Sequence, residues 1–257
     1  MFLLQKATQV TAAAPVPESP GHDDAALTEW LAGQYAPAGP RPAERPRVRV
    51  NFVASIDGSA TAAGRSGGLA GDGDRLLFGV LRSLADVILV GASTAVTEGY
   101  RVPKPNRRGD TPLLILASRS LDIPPDYDTV TRPGVVVATC TSAPADRRER
   151  LTAAGATLLD CGSDIVEMRR LLGELGDRGH DDVLCEGGPR LFADLLAENV
   201  VDELALTLSP RLVGGDGPRI AHGTAVPGAP LGATCRHLIG DDEGFLYFLW
   251  DCAHPGR

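Results

Sequence analysis

The chain has 257 residues, enough to bury a complete core in one large domain or two small ones. Its net charge of −8 disfavours a general nucleic-acid partner. No apolar run reaches the ~18 residues that a membrane span needs, so no membrane partner is expected either. Five widely spaced cysteines without a C-x-x-C pair predict free thiols in a reducing cytoplasm, and no metal-ligand spacing is present.

Residues 1–46 are predicted to form a peripheral N-terminal segment, and residues 47–257 the main domain. The first segment is rich in proline, and its start, "MFLLQKATQV", has too short an apolar stretch for a secretory signal. One short helix is predicted at "DDAALTEWLAGQY", where Leu27, Trp30 and Leu31 share a face. We expect it to pack on the main domain, because Trp30 and Tyr35 would be unusual in a free tail.

From Val48 onwards, strands and helices alternate. "VRVNFVASIDG" predicts a strand, and "GDGDRLLFGVLRSL" a helix that Asp72 or Asp74 could cap. Three buried strands are predicted next, at "ADVILVG", "TPLLILAS" and "GVVVAT". A helix at "APADRRERLTAAG" ends at Gly155, and a strand at "ATLLD" follows.

The C-terminal half continues this alternation. "SDIVEMRRLLGELG" predicts a helix whose inward residues are Ile165, Met168, Leu172 and Leu175. "DDVLCE" predicts a strand, and "PRLFADLLAEN" a helix with Pro189 in its first turn. "DELALTLSP" alternates leucines with polar residues, so one face of this strand is expected to be wetter, and "GFLYFLW" predicts a last strand.

This order predicts an α/β fold, a mixed and mostly parallel sheet with helices on both faces. The last two strands have no helix between them, so we expect them to pair antiparallel at an edge.

The stretch "VLCEGGPRLFADLL" runs from a strand through two glycines into a helix. Two interpretations remain open. The glycines could only make a tight turn, or they could bare the backbone so that a phosphate binds the helix N-terminus. In the second case a side chain at residue 188 would block the phosphate.

Other predicted strands also end in small, hydroxyl or charged residues. Gly91 and Thr94 follow one strand, Ser118 and Arg119 another, and Asp57 a third. Because ligands bind beyond the carboxyl ends of strands in open α/β sheets, these ends favour a nucleotide site. Arg119 beside Ser118 would suit a ribose 2′-phosphate. Each of these residues alone could equally be a helix cap or part of a surface turn.

Four segments together resemble the pyrimidine reductase family of riboflavin biosynthesis: "NFVASIDG", "LRSLADVILVGASTAVTEG", "ILASRSLDIP" and "EGGPRLFADLLAENVVDELALTLSPRLVGG". The match runs in order from about Val48 to Trp250. The resemblance implies a dihydrofolate-reductase-like fold, a homodimer, and the NADPH-dependent reduction of 5-amino-6-(5-phosphoribosylamino)uracil from ribosyl to ribityl. The zinc motif of the deaminase half is absent, so a stand-alone reductase is expected.

The resemblance also implies roles for individual residues. Those that would contact the cofactor are Val53, Gly68, Thr94, Glu98, Ser118, Arg119, Gly187, Gly188, Pro189, Arg190 and Leu191. Those that would face the phosphoribosyl-pyrimidine are Ser66, Arg82, Arg101 and Glu186, with Asn51 at a position where many members carry lysine.

Reduction of the opened ribosyl group needs a proton, and Asp57 and Glu186 are the candidate catalytic residues. Purely structural roles stay open for two of the residues named so far, since Asp57 could be a turn residue and Arg82 a helix C-terminal charge. Two further functions also remain open. Asn51 could admit a pteridine such as dihydrofolate, or the chain could bind NADPH without catalysis.

Overall fold

The computed structural model describes residues 2–6 and 24–253, with the side chains of residues 2–6 and 24 left aside. Its helices are α1 Asp24–Gln34, α2 Asp72–Ser83, α3 Ala92–Glu98, α4 Ala145–Ala153, α5 Met168–Asp177 and α6 Pro189–Ala197. Its strands are β1 Phe2–Lys6, β2 Arg47–Ser55, β3 Val87–Gly91, β4 Leu113–Ala117, β5 Val135–Thr139, β6 Thr157–Asp160, β7 Asp182–Cys185, β8 Glu203–Ser209, β9 Ala233–Gly240 and β10 Leu246–Cys252.

The ten strands of the described residues form one sheet, in the order β1-β9-β10-β8-β2-β7-β3-β4-β5-β6. The seven strands from β8 to β6 run parallel, whereas β10, β9 and β1 pair antiparallel. The predicted mixed and mostly parallel sheet is therefore confirmed, as is the antiparallel pairing of the last strand with β8. The expectation that this pair forms the edge is wrong, because β9 and β1 extend the sheet beyond β10.

Two apolar cores fill the two faces of the sheet. Residues of α1, α2, α3 and α4 contribute to one core, and residues of α5 and α6 to the other. Helix α1 packs on α2, and its Leu31 and the nearby Tyr35 are both fully buried in the first core. The predicted placement of helices on both faces is confirmed.

Two local predictions are wrong. Helix α5 begins only at Met168, so Ile165 lies outside it and is exposed. The Glu198 carboxylate fixes this start, because it accepts hydrogen bonds from the Met168 and Arg169 N–H groups, both at 2.7 Å. The N-cap of α2 is Gly71, with no side-chain cap, rather than Asp72 or Asp74.

Strand β8 places its polar residues inside. Glu203, Thr207 and Ser209 are buried, while Leu204, Leu206 and Leu208 are half-buried on the other face. Glu203 is tolerated in the interior because Arg49 and Arg236 form ion pairs with it, at 2.5 and 2.7 Å. The wetter face of this strand is therefore the leucine face.

Within the described ranges, no helix is both long and apolar enough to cross a membrane. The five cysteines are free thiols, as predicted.

Candidate active site

A cleft of about 1090 Å³ opens at the carboxyl ends of the parallel strands. Strand β2 forms its floor through Asn51 and Val53, and α2 forms one wall. Glu186, which follows the neighbouring strand β7, also lies on the floor, and the opposite side is formed by Thr94 of α3 and the start of α6. Residues 99–105 close one end. The cleft therefore lies where open α/β sheets bind their ligands.

The two glycines between β7 and α6 make a turn that is packed against the protein itself. Gly187 has a φ of +82°, in the left-handed region that favours glycine, and the Gly187–Gly188 peptide is cis. A Cβ at Gly187 would lie 2.6 Å from the Phe52 ring, and a Cβ at Gly188 would lie 2.6 Å from Thr94 Oγ1. A side chain at residue 188 would therefore meet Thr94, and the expectation that it would block a phosphate stays a prediction.

The turn still presents its backbone to the cleft, since Gly188 and Pro189 line it. Gly188 is the N-cap of α6 and Pro189 its first residue, as predicted. The first N–H groups of a helix have no partner within the helix and carry the positive end of its dipole. The Gly91 N–H donates to the Gly187 carbonyl at 2.7 Å, which fixes the turn against the end of β3. The start of α6 is thus a rigid site that suits a phosphate.

On the cleft floor, Arg82 and Glu186 form a two-point ion pair. Arg82 Nε and Nη2 donate to the two carboxylate oxygens of Glu186, each at 2.7 Å. The Glu186 side chain is only 1% exposed, so the pair is largely shielded from water. The Arg82 guanidinium also lies over the rings of Phe78 and Tyr100, at 4.3 and 5.0 Å from their centroids. Arg82 is therefore more than a charge at a helix end.

The Arg82–Glu186 ion pair shifts the pKa values of the side chains that form it or lie beside it. Burial acts to lower the pKa of Arg82, but its hydrogen bonds and ionic contact with Glu186 raise that pKa above the usual range. Burial and the Glu186 charge raise the pKa of Tyr100. The cleft floor thus holds a fixed arginine cation, a carboxylate and a neutral tyrosine hydroxyl.

Ser66 and Glu98 are brought together at the other side of the cleft. Glu98 Oε1 accepts from the Ser66 backbone N–H at 2.9 Å and from its hydroxyl at 3.1 Å. The resemblance assigns Ser66 to the substrate and Glu98 to the cofactor, and the two residues are in direct contact.

Two cations stand on the cleft rim. Arg101 and Lys104 are exposed and line the cleft beside the Arg82 end of α2. Neither forms a salt bridge with a carboxylate in the described part of the chain. They are available for an anionic group.

Several predicted site residues lie away from the cleft lining. Ser118 and Arg119 follow β4, one strand beyond Gly91, and Ser118 Oγ accepts from the Leu121 N–H at 3.0 Å. Leu191 is buried in a core, and the Arg190 stem lies near Gly223. Gly68 adjoins the lining residue Gly67.

Asp57 also lies outside the lining, on an exposed turn. It accepts hydrogen bonds from the Ser55 hydroxyl and from the backbone N–H groups of Gly214 and Val213. These bonds, with the Ser55 bond as the largest cause, lower the pKa of Asp57 to about 2. An ionised carboxylate that braces two loops fits the role of a turn residue and gives no support to a role as proton donor.

The lining side chains that were not predicted as site residues include Asp74, Phe78, Tyr100 and Lys104. The spacing in the sequence could have predicted the first two as site residues, because Asp74 and Phe78 precede Arg82 at intervals of four and share its helix face. The described residues contain no cluster of His, Cys, Asp or Glu that could hold a metal ion.

The model of the RibD C-terminal domain family matches residues 46–247. The 2,5-diamino-6-ribosylamino-4(3H)-pyrimidinone 5′-phosphate reductase of Aquifex aeolicus is 29% identical over 180 residues, 67% of this chain and 80% of that protein. The reductase of the same name from Methanothermobacter thermautotrophicus is 27% identical over 175 residues, 66% of this chain and 81% of the relative.

Solved structures share the fold. A pyrimidine reductase-like protein from Corynebacterium diphtheriae superposes with a TM-score of 0.72 at 24% identity, covering 81% of this chain and 92% of its own. Acinetobacter baumannii RibD gives a TM-score of 0.67 at 20% identity, covering 82% of this chain and 59% of its own. At these identities the likeness concerns the fold.

Proposed function

Because the chain belongs to the RibD C-terminal domain family, we propose that it is a stand-alone, NADPH-dependent reductase of a phosphoribosylaminopyrimidine in riboflavin biosynthesis. The relatives from Aquifex and Methanothermobacter carry the name of such a reductase. The observation that carries the proposal is that one cleft joins the glycine turn at the start of α6 to the Arg82–Glu186 pair. A cofactor at the glycine turn and a polar substrate at the ion pair would thus lie side by side.

The residues present fit a dinucleotide. The start of α6 offers free N–H groups to the diphosphate, and Thr94 packs directly against Gly188. Ser118 and Arg119 lie one strand away on the same edge of the sheet, where a ribose 2′-phosphate would reach them. NADPH, when bound, would supply the hydride that reduces C1′ of the opened ribosyl imine, with a proton going to the attached nitrogen. A cleft of about 1090 Å³ exceeds a usual drug-sized pocket of about 300–1,000 Å³, which leaves room for a second ligand.

The protein's own groups then position the substrate. Arg101 and Lys104 would bind its phosphate at the rim, beside Arg82. Arg82 fixes the Glu186 carboxylate on the floor, where Glu186 would orient the reacting amine. Asn51 lies beside Glu186, one position beyond the Val50–Cys185 pair of the sheet, so it would face the same part of the substrate.

The test is NADPH oxidation, followed by absorbance, with 5-amino-6-(5-phosphoribosylamino)uracil and with its 2-amino precursor. Chromatographic detection of the ribitylamino product from either compound would support the proposal. Turnover of dihydrofolate alone would replace it with the pteridine alternative. Binding of NADPH without turnover of any of the three would indicate a non-catalytic protein.

We further propose that two copies associate through the open face of β8, β9 and β10. This face carries half-buried apolar side chains: Leu204, Leu206, Leu208, Leu238, Leu246, Phe248 and Trp250. Phe248 and Trp250 stack with their ring centroids 5.7 Å apart. A contiguous apolar face on a chain with net charge −8 suits a second copy of the same face, since a twofold axis pairs like with like.

We assign the reaction to the cytoplasm. All five cysteines are free thiols, which suits a reducing compartment.

A further inference from the structure

Tyr100 connects the floor of the cleft to its rim. Its side chain lines the cleft beside the ion pair of the floor, and its backbone leads into the rim segment, which we define as residues 101–105. The rim segment carries Arg101 and Lys104, the two cations that the proposed function assigns to the substrate phosphate. One residue thus adjoins both the floor and the rim.

The side chain of Tyr100 completes a cluster on the floor. The Arg82 guanidinium lies 5.0 Å from the centroid of the Tyr100 ring. The Tyr100 hydroxyl lies within hydrogen-bonding contact of the Glu186 carboxylate and of Arg82. Burial, followed by the Glu186 charge, raises the pKa of Tyr100, so the hydroxyl stays protonated at neutral pH and donates to the carboxylate. Glu186 therefore has a third donor beside the two from Arg82.

The backbone of Tyr100 is held from outside the cleft. Its carbonyl oxygen accepts hydrogen bonds from the Tyr127 hydroxyl at 2.9 Å and from the Thr129 hydroxyl at 3.0 Å. Its N–H donates to the Ala95 carbonyl of α3 at 2.8 Å. Because a carbonyl oxygen has two lone pairs, both acceptor positions are used. Tyr127 and Thr129 lie outside the cleft lining, and Thr129 is buried.

The rim segment is suspended between two anchors. Within the described part of the chain, the main chain of residues 101–105 forms no backbone–backbone hydrogen bond. The first anchor is the Tyr100 carbonyl. The second is the buried Asn106, whose side-chain amide donates to the Ala85 carbonyl at 3.1 Å. The position of the rim cations therefore depends on these two anchors.

We propose that Tyr100 is a positioning residue that keeps the two ends of the substrate site in register. Its hydroxyl fixes the Glu186 carboxylate at the floor, and its carbonyl, bound by Tyr127 and Thr129, fixes the cations of the rim segment. The inference rests on the proposed function, which puts the substrate phosphate at the rim and the reacting amine at Glu186. Phosphate and amine belong to one molecule, so the floor and the rim must keep a fixed separation to bind both.

The two ends of Tyr100 predict separable effects. Loss of the hydroxyl disturbs the floor, which every ligand with the aminopyrimidine ring occupies. Loss of the hydrogen bonds to the carbonyl disturbs the rim, which only a phosphorylated ligand reaches. A ligand without its phosphate therefore distinguishes the two ends.

The experiment measures equilibrium binding by calorimetry, with NADP⁺ present so that no reduction occurs. The probes are the two phosphoribosylaminopyrimidines of the proposed function, each with and without its phosphate. The wild-type protein should bind a phosphorylated compound about tenfold more tightly than its dephosphorylated form, or better. Tyr127→Phe combined with Thr129→Val should reduce that ratio about three- to tenfold, while binding of the dephosphorylated form changes by less than about twofold.

Tyr100→Phe keeps the ring beside Arg82 and the backbone anchors, and it removes the hydroxyl. It should weaken the phosphorylated and dephosphorylated forms by the same factor, about three- to tenfold, and leave their ratio unchanged. Tyr35→Phe is the matched control, because the buried Tyr35 hydroxyl has no hydrogen-bond partner among the described residues. This control should bind both forms like the wild type. Unchanged NADP⁺ affinity would establish that each variant is folded.

Two results in the variants would overturn the inference. One is a Tyr127→Phe/Thr129→Val protein that loses affinity for both forms equally or for neither. The other is a Tyr100→Phe protein that binds both forms like the wild type. If the double variant does not fold, Tyr127→Phe alone, which keeps the Thr129 hydrogen bond, should lower the ratio by a smaller factor.

The wild-type protein separates the inference from the proposed function. A protein that binds the two forms in the expected ratio but reduces neither pyrimidine would refute the proposed function and keep the inference. A protein that binds both forms equally would overturn the inference, even if it reduces a phosphorylated compound. A protein that binds none of the four compounds would refute both.

Discussion

Arg82 and Glu186 meet across the cleft floor in parallel hydrogen bonds of 2.7 Å, although 104 residues separate them in the chain. The pair joins helix α2 to the end of β7 at the place where we locate the substrate. Because the Glu186 side chain is 1% exposed, removing Arg82 would leave a shielded carboxylate without its cation.

Arg82→Ala should destabilise the protein by about 3–5 kcal/mol, because it leaves a buried carboxylate without its cation. Urea denaturation measures this change in the free energy of unfolding. Arg75→Ala is the control, since the Arg75–Asp72 pair is exposed and should contribute about 1 kcal/mol or less. Equal effects of the two substitutions would contradict the shielded character of the Arg82–Glu186 pair.

Gly188→Ala should lower stability by about 1–3 kcal/mol and weaken NADPH binding, because the new Cβ lies 2.6 Å from Thr94 Oγ1. Adding Thr94→Ala should recover much of the stability, since Thr94 Cβ is 3.9 Å away and remains in ordinary contact. Thermal unfolding and calorimetry with NADPH measure the two effects. If the double variant is no more stable than Gly188→Ala, the Thr94 contact is not the reason for glycine here.

Arg119→Ala should reduce the preference for NADPH over NADH by about 1.5–3 kcal/mol, the usual contribution of a charged hydrogen bond. The measurement is kcat/KM with each cofactor. Arg132→Ala is a suitable control, because Arg132 is exposed and already paired with Asp128. Equal losses with both cofactors would show that Arg119 does not contact the 2′-phosphate.

Asp57→Asn should lower the stability near neutral pH, and the difference from wild type should fade as the pH falls. The folded-state pKa of about 2 lies below the ordinary value near 4, so the ionised Asp57 stabilises the fold above pH 4. That contribution is lost as the pH falls through about 2. Denaturation at several pH values measures this contribution to the free energy of unfolding. A difference from wild type that stays constant down to pH 2 would argue against the loop brace, and a selective loss of kcat would restore the catalytic hypothesis.

Phe248→Glu should convert the proposed dimer into a monomer, because it places a charge in the centre of the apolar face of β8, β9 and β10. Light scattering after size-exclusion chromatography measures the mass. Leu212→Glu is the control, since Leu212 is 74% exposed on a loop and should change nothing. A wild-type protein that is monomeric at micromolar concentration would refute the dimer.

The local elements can be located from the amino-acid sequence alone. Apolar periodicity predicts α2, α5 and α6, and unbroken apolar runs predict β3, β4 and β5, because these patterns record which side chains the fold must bury. The strand–glycine–helix stretch likewise predicts one side of the cleft. Strand β9 escaped prediction, since "ATCRHLIG" has no clear alternation and is ordered by its pairing with β1 and β10.

What these elements do together depends on their packing in three dimensions. The start of α5 depends on Glu198, a residue thirty positions away from Met168. Asp74 looks like a helix cap in the sequence and becomes a cleft carboxylate only because α2 and β2 line the same cleft. Periodicity reports the burial of a residue within its own element, whereas a site is made by contacts between elements. The amino-acid sequence therefore predicts the helices and strands, whereas their tertiary packing decides which charged side chains come into contact.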